Sequence, residues 1–232
     1  LAEAVLNLKR HTDREYEAEL GQVRERLLIM AGRVEQMIAD AIRAVGERDP
    51  ELARATIAAD NKVNRTEVET DELCMRVLAR RQPMASDLRF ITLALKMVTD
   101  LERIGDLAVN ICERAIDLAG EARLEGVDAL QTMATLVQSM VHDAIDAFVH
   151  ADATLAEGVI ARDDEVDEAY HTYFRAVLAG MTRDPASIER GIHVQSVAKW
   201  LERIGDHATN IAELVIFMVR GTDVRHPGKL DA

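Results

Sequence analysis

Two stretches of this sequence carry carboxylates at a spacing with chemical consequences. Residues 101–111 read LERIGDLAVNI and residues 201–211 read LERIGDHATNI, one hundred positions apart. Each sets a Glu and an Asp four residues apart, Glu102 with Asp106 and Glu202 with Asp206. Each continues with an Asn four residues on (Asn110, Asn210) and a Glu three beyond that (Glu113, Glu213). Positions i and i+4 share a helix face, where like charges repel by roughly a few tenths of a kcal/mol. Leaving such acids buried and unpaired costs far more. Clusters of oxygen ligands suit hard or borderline divalent cations. Further oxygens stand on two other segments: Asp60 with Asn64 and Glu67, and Asp163 with Asp167. Antiparallel packing of neighbouring helices brings these sets together. Spacing alone also admits a plainer reading, a solvated face on which Arg103 and Arg203 partner the acids. Repetition of the whole hexapeptide weighs against that reading without closing it.

The helices that must position these acids are legible in the hydrophobic periodicity. Apolar residues at Val23, Leu27, Met30, Val34, Met37, Ile38, Ala41 and Val45 recur every three or four positions, which predicts a first helix over 15–46. Asp49 is placed to cap a second helix, with Pro50 in its first turn, running to about residue 81. Pro83 interrupts the pattern, and a third helix follows over 85–119. The stretch GEARLEG separates two halves; helices over 128–150, 151–181 and 185–219 complete the second. The halves repeat. Residues 40–64 align with 143–167 at an offset of 103, and the third helix aligns with the sixth at an offset of 100. The expected architecture is therefore all-α, two tandem three-helix bundles of long antiparallel helices, one over residues 12–120 and one over 126–222.

Composition agrees. Of 232 residues 48% are hydrophobic but only 3% aromatic, so Leu, Ile, Val, Met and Ala must fill the core. Four prolines and twelve glycines favour long helices over a sandwich or barrel. With 28 basic against 41 acidic residues, the net charge of −13 opposes nucleic-acid binding, which needs Lys and Arg against phosphates. Cys74 and Cys112 form no C-x-x-C pair, which fits a reducing cytosol without thiolate zinc. The opening residues show no signal-peptide pattern. The apolar run LVIFMV falls far short of the roughly 20 residues needed to span a bilayer. Any membrane role is expected to run through a partner.

Other chemistries find less support. Glu168 and His171 make one E-x-x-H, where a ferritin-like di-iron site needs two. His207 follows Asp206 but projects about 100° away and is expected to be exposed. No Gly-rich phosphate loop, nucleophile elbow or H-E-x-x-H is present. The Asp87 that follows RQPMAS is read as a first-turn structural residue. A metal-dependent helical enzyme, a phosphohydrolase or oxidase, is the alternative from another class; it needs an open metal position and a base.

The stretches NKVNRTEVETDELCMRVLARRQPMASDLR, LERIGDLAVNIC and LERIGDHATNI and the tail VRGTDVRHPG together resemble the PhoU family of bacterial phosphate-uptake regulators, from about residue 11 to 228. That resemblance implies two similar three-helix bundles and metal clusters, of iron or zinc, at E/D-x-x-x-D motifs. Carried over by position, the metal ligands fall on Glu102, Asp106, Glu202 and Asp206, with Asp60, Asp163 and Asp167 on the neighbouring helices. Asn64 stands where Asp167 stands in the other half; its neutral amide oxygen is the weaker ligand. The resemblance further implies a non-enzymatic negative regulator of phosphate uptake and of the phosphate-starvation two-component response. Such a protein is cytoplasmic and peripheral to the inner membrane, a homodimer and an adaptor. Its expected partners are the phosphate ABC transporter ATPase and the phosphate-sensing histidine kinase.

Overall fold

A computed structural model describes residues 14–121, 127–222 and 224. The outer boundaries expected at residues 12 and 126, the opening stretch and most of the tail quoted above lie outside the described residues. The chain is all-α. Three helices, α1 (Arg14–Glu47), α2 (Pro50–Arg81) and α3 (Ser86–Leu118), pack on one another as the first bundle. The second comprises α4 (Val127–His150), α5 (Ala153–Ile160), α6 (Asp163–Arg183) and α7 (Ile188–Arg220). At 33 residues each, α3 and α7 extend about 50 Å.

The repeat is visible in the local chemistry that starts the helices. Asp49 caps α2, its Oδ1 accepting from the amides of Glu51 (2.9 Å) and Leu52 (3.0 Å). Asp152, 103 positions on, caps α5 in the same way through Thr154 and Leu155 (2.9 and 3.0 Å). The residue before each cap, Arg48 or Ala151, takes a left-handed backbone (φ 58° and 50°), so the tight reversal is duplicated as well. Such caps contribute about 1 kcal/mol each.

One expectation is corrected. The single fifth helix expected over 151–181 is two helices, α5 and α6, broken at Ala161 and Arg162. There the amide of Arg162 reaches only three residues back, to Val159, and that of Glu165 only to Arg162. The Arg162 side chain folds onto α4, donating to Ser139 Oγ (3.1 Å) and Asp143 Oδ2 (2.5 Å). The equivalent position in the first half is Ala59, which has no such reach, and α2 runs through unbroken.

α3 and α7 form the spine of the molecule, each packed on its own bundle and on the other. They run antiparallel, since Asp100 meets His207 while Arg114 meets His193. Leu101, Ile104, Ala108 and Ile111 of α3, and Leu201, Ile204, Ala208 and Ile211 of α7, are wholly buried. The E-R-I-G-D segments therefore present one apolar face to the core and an acidic face beside it.

Candidate functional site: two acidic clusters

In the first half Asp60 comes from α2 and lies over α3 at Gly105. A β-carbon built on Gly105 meets Asp60 Oδ1 at 3.3 Å and Val63 Cγ1 at 3.5 Å, so the missing side chain is what lets this carboxylate approach. Asp60 Oδ2 accepts from Asn64 Nδ2 at 2.8 Å, but Asp60 Oδ1 and Asn64 Oδ1 are buried oxygens without a hydrogen-bond partner. Burial raises the Asp60 carboxyl above the ordinary carboxylate value, and the charge of Asp106 adds to it. Glu102 is raised by burial, then by Asp106, Glu67 and Asp60. Glu67 is raised by burial, then by Asp71, and by Asp106 against the opposing pull of Arg103. Glu102 thus feels Asp106, Glu67 and Asp60, and the charge of Asp106 also acts on Asp60 and Glu67, which groups these acids on the α2–α3 face.

Arg103 stands at the rim, 3.6 Å from Glu102 and 3.7 Å from Asp106, with more than half its side chain in water. These separations are ion-pair contacts without hydrogen bonds, and exposed pairs of this kind contribute about 0–1 kcal/mol. The Arg103 partnership foreseen as the plainer reading is present, but it leaves the buried oxygens of Asp60 and Asn64 unanswered.

The second half carries a corresponding set of acids on the α6–α7 face, without the close seat of an Asp against the motif glycine, since Gly205 faces Val166 and Val137. Asp163 is raised by burial and then by Asp167, Asp164 and Glu202, while Thr209 Oγ1 donates to its Oδ1 at 3.3 Å. Asp206 is raised by burial and then by Glu202, Asp163 and Asp167, with Lys199 opposing. Asp206 is itself exposed, so water screens part of these influences. Glu202 is mostly covered; its Oε1 accepts from Lys199 Nζ at 2.6 Å and its Oε2 is buried without a partner. Asp167 sits at the exposed edge. Of the acids singled out in the sequence, Asp60, Glu67, Glu102 and Asp106 stand on the first face and Asp163, Asp167, Glu202 and Asp206 on the second, whereas Glu113 lies further along α3 beside Arg114 (3.8 Å).

Lys199 was not singled out by sequence reasoning, although it lies three residues before Glu202, within helical reach. His207 corrects an expectation. It is not exposed but lies in the α3–α7 seam, its Nδ1 2.9 Å from Asp100 Oδ1. The 100° that takes it off the acidic stripe turns it toward the other bundle. Glu168 and His171 are exposed, and Glu168 faces Thr172 and Arg175. Asp87 is structural, accepting from the buried Tyr16 hydroxyl at 3.0 Å.

The donor chemistry of both clusters, carboxylate and amide oxygens with orphaned lone pairs, fits a hard or borderline cation. Among the described residues, however, no three Asp, Glu, His or Cys side chains already converge closely enough to hold an ion.

Comparison with known proteins accords with the repeat. A family model, the PhoU domain, matches twice, over residues 27–115 and 130–215. The chain is 47% identical over 223 residues to the phosphate-specific transport system accessory protein PhoU homolog of Pseudomonas putida, covering 96% of this chain and 87% of that one. It is 37% identical over 223 residues to the phosphate-specific transport system accessory protein PhoU of Escherichia coli K12, covering 96% and 92%. The crystal structure of PhoU from Pseudomonas aeruginosa superposes with a TM-score of 0.87 at 46% identity, over 89% of this chain and all of that one. The phosphate transport system regulatory protein PhoU from Streptococcus pneumoniae gives 0.84 at 27%, over 91% of this chain and all of that one. With both three-helix bundles and both E-R-I-G-D helices accounted for by a duplicated domain model, the chain belongs to the PhoU family.

Proposed function

We propose that this protein is an accessory regulator of phosphate uptake. It holds down phosphate acquisition and the phosphate-starvation two-component response when phosphate is ample. The observation that carries this reading is the match of both halves to the PhoU domain, with relatives named as accessory proteins of the phosphate-specific transport system. In this reading the molecule is a cytoplasmic adaptor, homodimeric, engaging the ATPase of the phosphate ABC transporter and the phosphate-sensing histidine kinase. No helix among the described residues is long and apolar enough to cross a membrane, which is consistent with an approach to the transporter from outside the bilayer.

The acidic clusters belong to the same reading. Asp60, Glu102 and Asp106, with the Asn64 amide oxygen, would hold a divalent or trivalent metal, iron or zinc, in the first half. Asp163, Asp167, Glu202 and Asp206 would do so in the second. A bound cation supplies positive charge that neutralises crowded carboxylates and ties α2 to α3 or α6 to α7. It would therefore set the shape and charge of the faces offered to a partner. The test is co-purification of the transporter ATPase and the kinase with this protein, with and without chelator, from cells at high and low phosphate. Capture of both, weakened by the chelator, is the expected result. Capture of neither rejects the adaptor; capture indifferent to chelator rejects the metal's part in it.

A further inference from the structure

One end of the face that α6 and α7 turn to solvent is apolar and the other acidic. The two helices run antiparallel, since Gln195 Nε2 donates to the Tyr170 hydroxyl at 2.9 Å and Thr209 Oγ1 to Asp163 at 3.3 Å. Gly191 marks their line of contact; a β-carbon built there meets Met181 and, at 3.6 Å, Val177. At about 100° per residue, Ile188 and Ile192 lie about 60° and 100° to one side of Gly191, and Phe174 and Leu178 lie by the same angles to one side of Val177. In antiparallel helices equal rotations lead to the same side, so these four residues form one strip. They are 38% (Phe174), 48% (Leu178), 45% (Ile188) and 54% (Ile192) exposed. Further along the same side come Tyr170 and Lys199, the ammonium 5.2 Å from the ring centre and 2.6 Å from Glu202 Oε1. Beyond them stand Asp163, Asp167, Glu202 and Asp206.

Folding does not call for the apolar end. At the offsets of 103 and 100, Phe174 corresponds to Asp71 and Ile192 to Thr92, and the first bundle packs with those polar residues in place. Large apolar groups left in water where the fold accepts polar ones mark a docking surface. The acids select its occupant. They repel an acidic bilayer, and a second copy, itself of net charge −13, would add more charge of the same sign. The carboxylates are spaced along two helices, and among the described residues no three gather to hold an ion. Such spacing matches cationic side chains strung along a third helix.

Resting on the adaptor reading above, we propose that the α6–α7 face receives an amphipathic helix of a partner protein. Its apolar residues cover Phe174, Leu178, Ile188 and Ile192, and its Lys or Arg residues meet Asp163, Asp167, Glu202 and Asp206. From Ile188 to Asp206 the face runs about 27 Å, the length of about 18 helical residues.

The probe is a fluorescein-labelled helical peptide of that length, with leucines on one face of its first half and lysines on the same face of its second. Full-length protein is titrated into it and anisotropy followed, each variant being checked by circular dichroism. Phe174→Ser with Ile192→Thr leaves the net charge unchanged and is expected to weaken binding by about tenfold or more, the scale of two large apolar side chains left uncovered. The same kind of change at exposed positions of the first bundle, Met75→Ser with Leu88→Ser, should weaken it by less than about twofold. Glu202→Gln with Asp206→Asn should weaken binding and reduce its dependence on salt. Equal losses from the two apolar pairs, or a salt dependence unmoved by the acid changes, mean general attraction of a cationic peptide to an acidic protein and overturn the inference. So does a dimer lost in Phe174→Ser with Ile192→Thr by sedimentation velocity, which assigns the face to a second copy, or wild-type binding to phosphatidylglycerol vesicles that this pair abolishes. The assay contains neither the transporter ATPase nor the kinase, so its failure overturns the docking face and leaves the adaptor reading to its own co-purification test.

Discussion

His207 Nδ1 lies 2.9 Å from Asp100 Oδ1, and the amide of Asn210 donates to the same oxygen at 3.3 Å. This contact joins α7 to α3 and so joins the second bundle to the first. It has companions along the junction: Arg114 with His193 (3.4 Å), His193 with Asp117 (3.9 Å), and His142 of α4 with Glu35 of α1 (2.8 Å). The internal repeat does not preserve these pairs. At the offset of 100, Asp100 becomes Trp200 and His207 becomes Leu107, while Arg114 becomes Leu214 and His193 becomes Leu93. One set of positions is thus polar and its symmetry mate apolar. Polar pairs of fixed partner identity set the register of two long antiparallel helices more strictly than apolar contact does.

Replacing Asp100 with alanine leaves the donors of His207 and Asn210 facing a gap in a seam where Asp100 and His207 are each less than one-fifth exposed. The expected cost is about 1–2 kcal/mol. Chemical denaturation should show a lower midpoint, and His207→Ala combined with Asp100→Ala should cost less than the sum of the single changes. Strict additivity would mean that the two side chains do not act as a pair.

His142 gives the junction a pH dependence of known sign. Its hydrogen bond to Glu35 raises its pKa above the ordinary 6.5; burial is the next largest influence and opposes this, and the charges of Asp146, Glu35 and Asp143 add to the rise. A histidine raised in the folded state contributes stability fully below its unfolded pKa and loses it as pH rises through the folded value. His142 is 61% exposed, so the contribution is screened and small. The melting temperature of wild type should exceed that of His142→Ala at pH about 6 and converge with it at alkaline pH. A difference that stays constant over this range would show that protonation of His142 plays no part.

The fold was legible in the sequence because long amphipathic periods, an Asp-Pro cap and a hundred-residue repeat all point to the same helices. The interruption at Arg162 was not, since nothing in Ala161-Arg162 is a helix breaker; the break comes with the reach of Arg162 to Asp143 on another helix. The acids of the site were legible from i, i+4 spacing and duplication. Lys199 escaped because a lysine three residues before a glutamate is the commonest of surface pairs. Only the partly covered Glu202 and the Tyr170 ring beneath the ammonium set it apart. The role of His207 was hidden for a related reason: a helical wheel says which direction a side chain points, but not that a second bundle waits there.

Cys74 and Cys112 are both wholly buried, and burial, the largest influence on each, pushes their thiols up to about 12. Near neutral pH the reactive thiolate is accordingly scarce and shielded. Native protein should leave both thiols unmodified by an aromatic disulfide reagent over minutes, and unfolding in denaturant should release two per chain. Rapid labelling of either thiol without denaturant would mean that the core opens locally far more readily than this packing implies.

The glycines of the two E-R-I-G-D segments separate packing from electrostatics. A β-carbon at Gly205 makes only ordinary contacts, with Val166 at 3.5 and 3.8 Å and Val137 at 3.9 Å. Gly205→Ala is therefore expected to stabilise by about the helix-propensity difference, roughly 1 kcal/mol. At Gly105 the same methyl lies 3.3 Å from Asp60 Oδ1, tighter than a relaxed contact, and Asp60 must move outward by a few tenths of an ångström. Gly105→Ala should gain less than Gly205→Ala, because the propensity gain is offset by loss of the fit between Asp60 and α3. It should also weaken manganese binding at the first cluster while Gly205→Ala leaves that cluster's affinity unchanged. Urea unfolding and metal titration of the two variants side by side measure both effects. If Gly105→Ala stabilises as fully as Gly205→Ala and binds manganese as wild type does, the close seat of Asp60 against Gly105 has no bearing on the cluster.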